Sequence, residues 1–392
     1  MLRMTGLLAG AAIALAMALP AAAQSPVKIG LITTLSGPGG YLGEDVRDAF
    51  ALAIEQEGGK LGGVPVELMV EDDGLKPGQA KQVAEKFIKT GNAKILTGII
   101  FSNVAVATVP DVLDAGAFYI SPNAGPSNFA GKDCNENYFV ASWQNDSLHE
   151  AAGQQATTLG YKKMAILAPN YQAGKDALAG FKRMYKGEVV AEIYTKLDQT
   201  DFSAEMAQIR AAKPDAVFQF HPGGLGITFI KQYVQAGLKD SIPMVVAAPS
   251  LDNRILEAVG PAAQGIRLSS HWNTDFDNAS NKQFVAAFEK KYNRVPTFYA
   301  GQGYDTALLI ASALKATNGR VEDAAAFRNA LRKADFPAIR GSFKFANNQH
   351  PIQDWYALSV VKGEGDKLSI KTGGKILSNH GDVYAKDCKL SW

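Results

Sequence analysis

Gly37-Pro38-Gly39-Gly40-Tyr41-Leu42-Gly43 follows an apolar run, Val27 to Thr33, and opens a helical pattern. A glycine-rich turn at that place could cradle a dinucleotide's phosphates, with Asp72 or Asp73 at the end of the next strand holding a ribose hydroxyl. The spacing does not fit G-x-G-x-x-G, because Leu42 holds the third glycine's place counted from Gly37. No G-x-x-x-x-G-K-[ST], H-E-x-x-H or G-x-S-x-G follows elsewhere, so we expect no cofactor and no catalytic constellation. His149, His221, His271, His350 and His380 are scattered without ligand spacing, and read as surface or hydrogen-bonded residues. His221 stands apart because it ends a strand that should reach a binding cleft. Ser102 is the sharper candidate. It follows a strand and precedes a helix, where a hydroxyl and free N–H groups make a ready anion site. A plain N-cap is the structural alternative. Around it we place Tyr41, Phe101, Tyr171, Ala173 and Phe220, all at the carboxyl ends of predicted strands. Aromatic side chains there would wall a flat ligand, and Tyr171 or His221 could bond a distal hydroxyl.

These positions make sense only if the strands point their ends together. The chain alternates strand and helix from Val27 to Ser121, with predicted helices over Leu42 to Glu57, Pro77 onward, and Val104 to Ala115. The rhythm restarts near Lys162 and runs to Ala248. This predicts two doubly wound α/β units with parallel sheets covered on both faces. Longer helices are expected over Asn281 to Tyr292, Gln302 to Thr317 and Val321 to Ala334. A short β region, Arg340 to Phe345 and Trp355 to Val361, should finish the core. Two open α/β sheets bind ligands at their strands' carboxyl ends. If those ends face each other, one cleft is lined by both, and hinge closure buries the ligand. We expect lobe 1 at 26–142 plus 273–350 and lobe 2 at 143–272 plus 351–392.

The chain begins with Arg3, an apolar run from Leu7 to Leu19, Pro20, and Ala21-Ala22-Ala23. This reads as a signal peptide over 1–23, too short to span a bilayer, with export to the periplasm. Of 40 basic and 38 acidic residues, only Arg3 lies in that segment, so the remaining chain is nearly neutral. That excludes a basic field for nucleic acid or a membrane surface. Cys134 and Cys388 are the only cysteines, and in an oxidising compartment a disulfide is the expected state.

Four stretches resemble the leucine/isoleucine/valine-binding family of type I periplasmic binding proteins. They are Leu35-Ser36-Gly37-Pro38 with Tyr41 and Gly43, Val70-Glu71-Asp72-Asp73 with Pro77 and Ala80, Gly98 to Ser102, and Asp201-Phe202-Ser203 before the strand Asp215 to Phe220. The resemblance implies a monomeric two-lobed α/β protein with a multi-strand hinge. It also implies delivery of a small molecule to an inner-membrane ABC importer. In that family a serine matching Ser102 holds an amino acid's carboxylate. The family's amino-group grip, a threonine and an acidic residue, is matched here by Gly125 and Ser250. A buried ammonium without a carboxylate partner is costly. The resemblance therefore implies an organic acid without an α-amino group. The segments Asn123-Ala124-Gly125-Pro126-Ser127, Ser142 to Asp146 and His221 to Gly224 are similar to a subgroup that binds aromatic acids from lignin breakdown, which adds Asn123 and Ala124 to the expected site. The competing readings are a receptor for an aliphatic keto acid, a branched-chain amino acid, an amide or urea; a sensory domain; or an exported hydrolase.

Overall fold

The structure is a computed structural model that describes residues 25–363, 365 and 367–392. The leader read at residues 1–23 lies outside the described residues. The first sheet is built from β1 (Val27–Thr33), β2 (Lys60–Leu61), β3 (Val64–Asp72), β4 (Ile95–Thr97), β5 (Phe118–Ser121) and β6 (Tyr138–Val140). Their order is β2-β3-β1-β4-β5-β6, parallel except for the β2–β3 pair. Helices α1 (Gly40–Gln56), α2 (Pro77–Lys89) and α3 (Ser102–Asp114) supply the crossovers. Strand order therefore reverses between β1 and β4, which opens a crevice at their carboxyl ends. The glycine-rich turn after β1 serves packing there. A Cβ on Gly43 would lie 2.0 Å from the Thr34 carbonyl oxygen, so α1 can cross the strand end only without a side chain. Asp72 and Asp73 fasten the same turn, accepting from the Leu35 amide at 2.8 Å and the Thr34 hydroxyl at 2.7 Å.

The chain crosses over at α4 (Asn145–Thr158) and repeats the pattern. Here lie β7 (Lys163–Pro169), α5 (Gln172–Met184), β8 (Glu188–Thr195), α6 (Ser203–Ala212) and β9 (Ala216–Gln219). They are followed by α7 (Gly224–Gln235), β10 (Met244–Ala247), α8 (Asn253–Val259) and β11 (Arg267–Ser270). The period-2 alternation of β7 splits its side chains between two cores. Met164, Ile166 and Ala168 face α4 and α5, while Ala165 and Leu167 face α6, α7 and α8. The sheet runs β8-β7-β9-β10-β11, so its own switch point lies between β7 and β9. The late helices α9 (Ala279–Tyr292), α10 (Phe298–Thr317) and α11 (Ala324–Lys333) return to the first lobe, where Phe284, Phe298, Leu309 and Leu314 join its core.

The chain ends in β12 (Lys344–Phe345), β13 (Pro351–Lys362) and β14 (Leu368–His380). The sequence reading stopped the β region at Val361. β14 escaped it because Lys371, Lys375 and the Gly373-Gly374 pair lower strand propensity. It forms an antiparallel ribbon with β13, which itself pairs with β11. Phe345 straddles the lobes: its backbone pairs with Pro351, while its ring packs edge-on to Phe139 at 5.5 Å. Cys134 and Cys388 form a disulfide with Cα atoms 5.7 Å apart, tying the segment before β6 to the C-terminal tail.

Arg340 clamps the connections. Buried to 6% exposure, its Nε donates to Asp305 at 2.8 Å and its Nη1 to the Ser142 carbonyl at 3.0 Å and Gln353 at 2.9 Å. Its Nη2 donates to the Ala141 carbonyl. Gln353 adds a bond from Nε2 to the same Ser142 carbonyl at 2.7 Å. The first crossing between lobes is thus held by residues from the last one. Among the described residues, no helix is long and apolar enough to cross a membrane.

Candidate functional site

The two switch points face each other, and the space between them is a narrow cavity with about 20 Å³ open to a water-sized sphere. The first lobe supplies Ile100, Phe101 and Ser102 from the turn after β4, and Asn123 from the turn after β5. The second supplies Tyr171 and Ala173 after β7, and Phe220 and Pro222 after β9. Trp143, Asn145, Leu148 and His149 come from the crossover and α4, Pro249 from the turn after β10, and Tyr299 from α10. In this arrangement it holds about one water molecule, so a ring-sized ligand enters only as the lobes part or the walls shift.

The lobes touch on several sides of this cavity. Tyr41 donates its hydroxyl to Asp252 at 2.8 Å. The Ser127 hydroxyl donates to Asp176 at 2.7 Å, and the Gly224 amide to the Pro38 carbonyl at 3.1 Å. Each bond joins residues from opposite lobes, so this is the closed arrangement.

Helix α3 begins at Ser102, two residues earlier than expected, because Phe101 takes the extended N-cap conformation and its carbonyl accepts from Val104 and Ala105. Ser102 is therefore the first helical residue and not a cap. The amides of Ser102 and Asn103 belong to the first turn, where no carbonyl of the helix precedes them as a partner. The Ser102 hydroxyl is buried and accepts from Asn145 Nδ2 at 3.1 Å. Its proton is left to donate to a ligand. Asn145 is itself held, with Nδ2 also donating to Asp176 at 3.0 Å and Oδ1 accepting from the Gly125 amide at 3.2 Å.

Among the described residues, no Asp, Glu, Lys or Arg lines the cavity. Asp176 is near but committed. It accepts from the Ser127 amide and hydroxyl, Asn145 and Gln172. Asp252 accepts from the Ile255 amide and from Tyr41. The walls are aromatic: Tyr171 stacks near-parallel to Phe220 at 6.3 Å, and Phe101 tilts against Tyr171 at 6.4 Å. Burial raises the Tyr171 pKa, keeping its hydroxyl protonated, and pushes His149 down to about 3, so its imidazole is neutral.

Of the residues expected at the site, Phe101, Ser102, Asn123, Tyr171, Ala173 and Phe220 line the cavity. The others stand behind it. Tyr41 closes the lobes over Asp252 under the Arg254 guanidinium, 5.0 Å from the ring centre. The Ala124 carbonyl accepts from Ser121 and Tyr138. Gly125 exchanges bonds with Asn145, and a Cβ there would lie 2.1 Å from the Trp143 carbonyl oxygen, so no side chain fits. His221 is a core residue. Its ring bonds Thr195 at 3.0 Å and Gln219 at 2.8 Å and stacks on Phe229. Ser250 accepts from the His221 amide at 3.0 Å.

Trp143, Asn145, His149 and Tyr299 were not among the expected site residues, although Trp143 and Asn145 lie in the Ser142 to Asp146 segment that carries the subgroup resemblance. The run Asn145-Asp146-Ser147-Leu148-His149-Glu150 is polar, yet every member is buried. Its position between the two repeats was the available signal. Tyr299 offered none, lying far along the chain in a helix of the other lobe. Among the described residues, no group of three or more His, Cys, Asp or Glu side chains could hold a metal ion.

A family model described as periplasmic binding protein matches residues 26–365. The Leu/Ile/Val-binding protein homolog 6 of Brucella melitensis is 28% identical over 361 residues, covering 89% of this chain and 91% of that one. A solute-binding protein of an ABC transporter from R. palustris, solved in complex with benzoate, superposes with a TM-score of 0.87 at 33% identity, over 93% of this chain and 100% of that one. Another, from Rhodopseudomonas palustris BisB5 in complex with 3,4-dihydroxybenzoic acid, has a TM-score of 0.83 and 29% identity, over 91% and 99%.

Proposed function

The chain belongs to the periplasmic binding protein family, as a solute-binding component of the ABC-importer type and not an enzyme, and from that premise we propose that its ligand is a small aromatic carboxylate without an α-amino group. One observation carries this reading: the buried cavity has aromatic walls, a serine hydroxyl and a helix start, and no charged side chain on its lining. The likeness to the benzoate-bound protein supports it. Capture follows from the geometry. With the lobes divided at 26–142 plus 273–350 and 143–272 plus 351–392, the acid settles first on Ser102 and the α3 amides. The second lobe then swings Tyr171 and Phe220 over its ring, and the bonds from Tyr41 and Ser127 form. A hydrogen-bonded carboxylate tolerates this burial, whereas an ammonium would lose its water and gain no counter-ion. The closed particle is what a membrane permease would receive. The relatives' names favour branched-chain amino acids instead, and a matched series separates the two.

Calorimetry is expected to show benzoate binding well, and benzamide, leucine and phenylalanine binding much less tightly. Leucine or phenylalanine binding as tightly as any amine-free acid would sink the reading. Within the same series, Ser102→Ala is expected to weaken benzoate by about 10- to 150-fold, the worth of one hydrogen bond to a charged group. Unchanged affinity would remove Ser102 from the site.

A further inference from the structure

His149 and His221 are both buried in the second lobe near the cavity, but they differ in their hydrogen bonds. His221 has partners on both ring nitrogens. His149 is 1% exposed and lines the cavity, yet its Nδ1 is buried without a partner. Its ring is fixed edge-on against Phe220 at 4.7 Å and Phe218 at 5.7 Å. Those contacts set its orientation but satisfy no polar atom, and a buried polar nitrogen left unpaired is destabilising unless something occupies it. His149 lies one helical turn beyond Asn145 on α4, and Asn145 touches Ser102. Residues four apart share one helix face, ~5–6 Å apart. A ring anchored by its carboxylate at Ser102 would therefore carry its far edge towards His149.

We infer that His149 is the residue that reads a hydroxyl on the far side of the ligand's ring, so that the preferred ligands are hydroxylated aromatic acids. A neutral imidazole offers one donor and one acceptor, and a phenolic hydroxyl offers the same pair in return. Burial keeps the imidazole in that neutral form. This assigns to His149 the part that the sequence offered to His221, and it rests on the aromatic-acid reading above.

The test uses calorimetry with benzoate, 3-hydroxybenzoate and 4-hydroxybenzoate on the parent protein, His149→Phe and His149→Gln. The parent is expected to bind at least one hydroxybenzoate about 10-fold more tightly than benzoate, the scale of one neutral hydrogen bond in a closed site. His149→Phe keeps an aromatic ring at that place and loses both nitrogens, so the ratio of hydroxybenzoate to benzoate affinity should fall to about one, whatever the variant does to benzoate binding itself. His149→Gln keeps a donor and an acceptor and should restore part of the preference. A parent that binds the three acids equally overturns the inference, whether or not the variants fold. So does a preference that persists in His149→Phe. If none of the three acids binds while leucine does, the aromatic-acid reading fails first, and the inference falls with it.

Discussion

Arg340→Met is expected to destabilise the protein by about 3–5 kcal/mol, the cost of removing one partner from a buried ion pair. Asp305 is buried and has the Arg340 guanidinium as its charge partner at 2.8 Å. Burial alone raises the Asp305 pKa, and Arg340 works against that rise. Without the guanidinium, Asp305 must carry its charge unpaired or take up a proton. The carbonyls of Ala141 and Ser142 also lose a donor. Gln353 still reaches Ser142, so one bond of the clamp survives. Urea unfolding of the parent, Arg340→Met, and the double variant with Asp305→Leu checks the argument. The double variant should recover much of the loss, since it leaves no orphaned charge. A single variant within about 1 kcal/mol of the parent would show that the pair contributes little.

The second large effect is expected from pH. Asp252 is fully buried, and burial raises its pKa from the ordinary 3.8 to about 7, with bonds from the Ile255 amide and Tyr41 holding it down and Asp45 adding to the rise. Between those two values the folded chain holds this proton and the unfolded chain does not. Stability is therefore fully present below pH 3.8 and falls as pH rises through about 7. A shift of this size corresponds to roughly 4 kcal/mol at about 1.36 kcal/mol per pH unit. Asp252→Asn keeps an oxygen for the α8 cap and has no proton to lose. The parent and this variant should differ most at pH 8 and converge at low pH in urea titrations, with the variant gaining relative stability. Buried acids that do not act on Asp252, such as Asp176, are common to both proteins and cancel in the difference. Parallel stability curves would refute the assignment.

How much of the site was legible depended on where each residue sits relative to a strand end. Ser102, Tyr171 and Phe220 follow β4, β7 and β9, and the doubly wound pattern delivers those ends to the cleft. His221 follows the same strand as Phe220, but alternation turns its side chain into the lobe core. Tyr41 and Asp252 illustrate the opposite failure. Neither has a local signal for the other, and 211 residues separate them.

The amino-acid sequence by itself determined the two α/β halves, the missing enzyme motifs, the cysteine pair and the place of Ser102 between a strand end and a helix. Each is written in short-range periodicity, in local spacing, or in a count of one residue type. Only the tertiary structure decided which histidine faces the cavity, which aspartates are already committed, and that the first turns of α4, largely polar in sequence, are buried. These depend on contacts between segments up to hundreds of residues apart. Whether a polar atom is satisfied is set by what the fold brings beside it, and not by its neighbours in the chain.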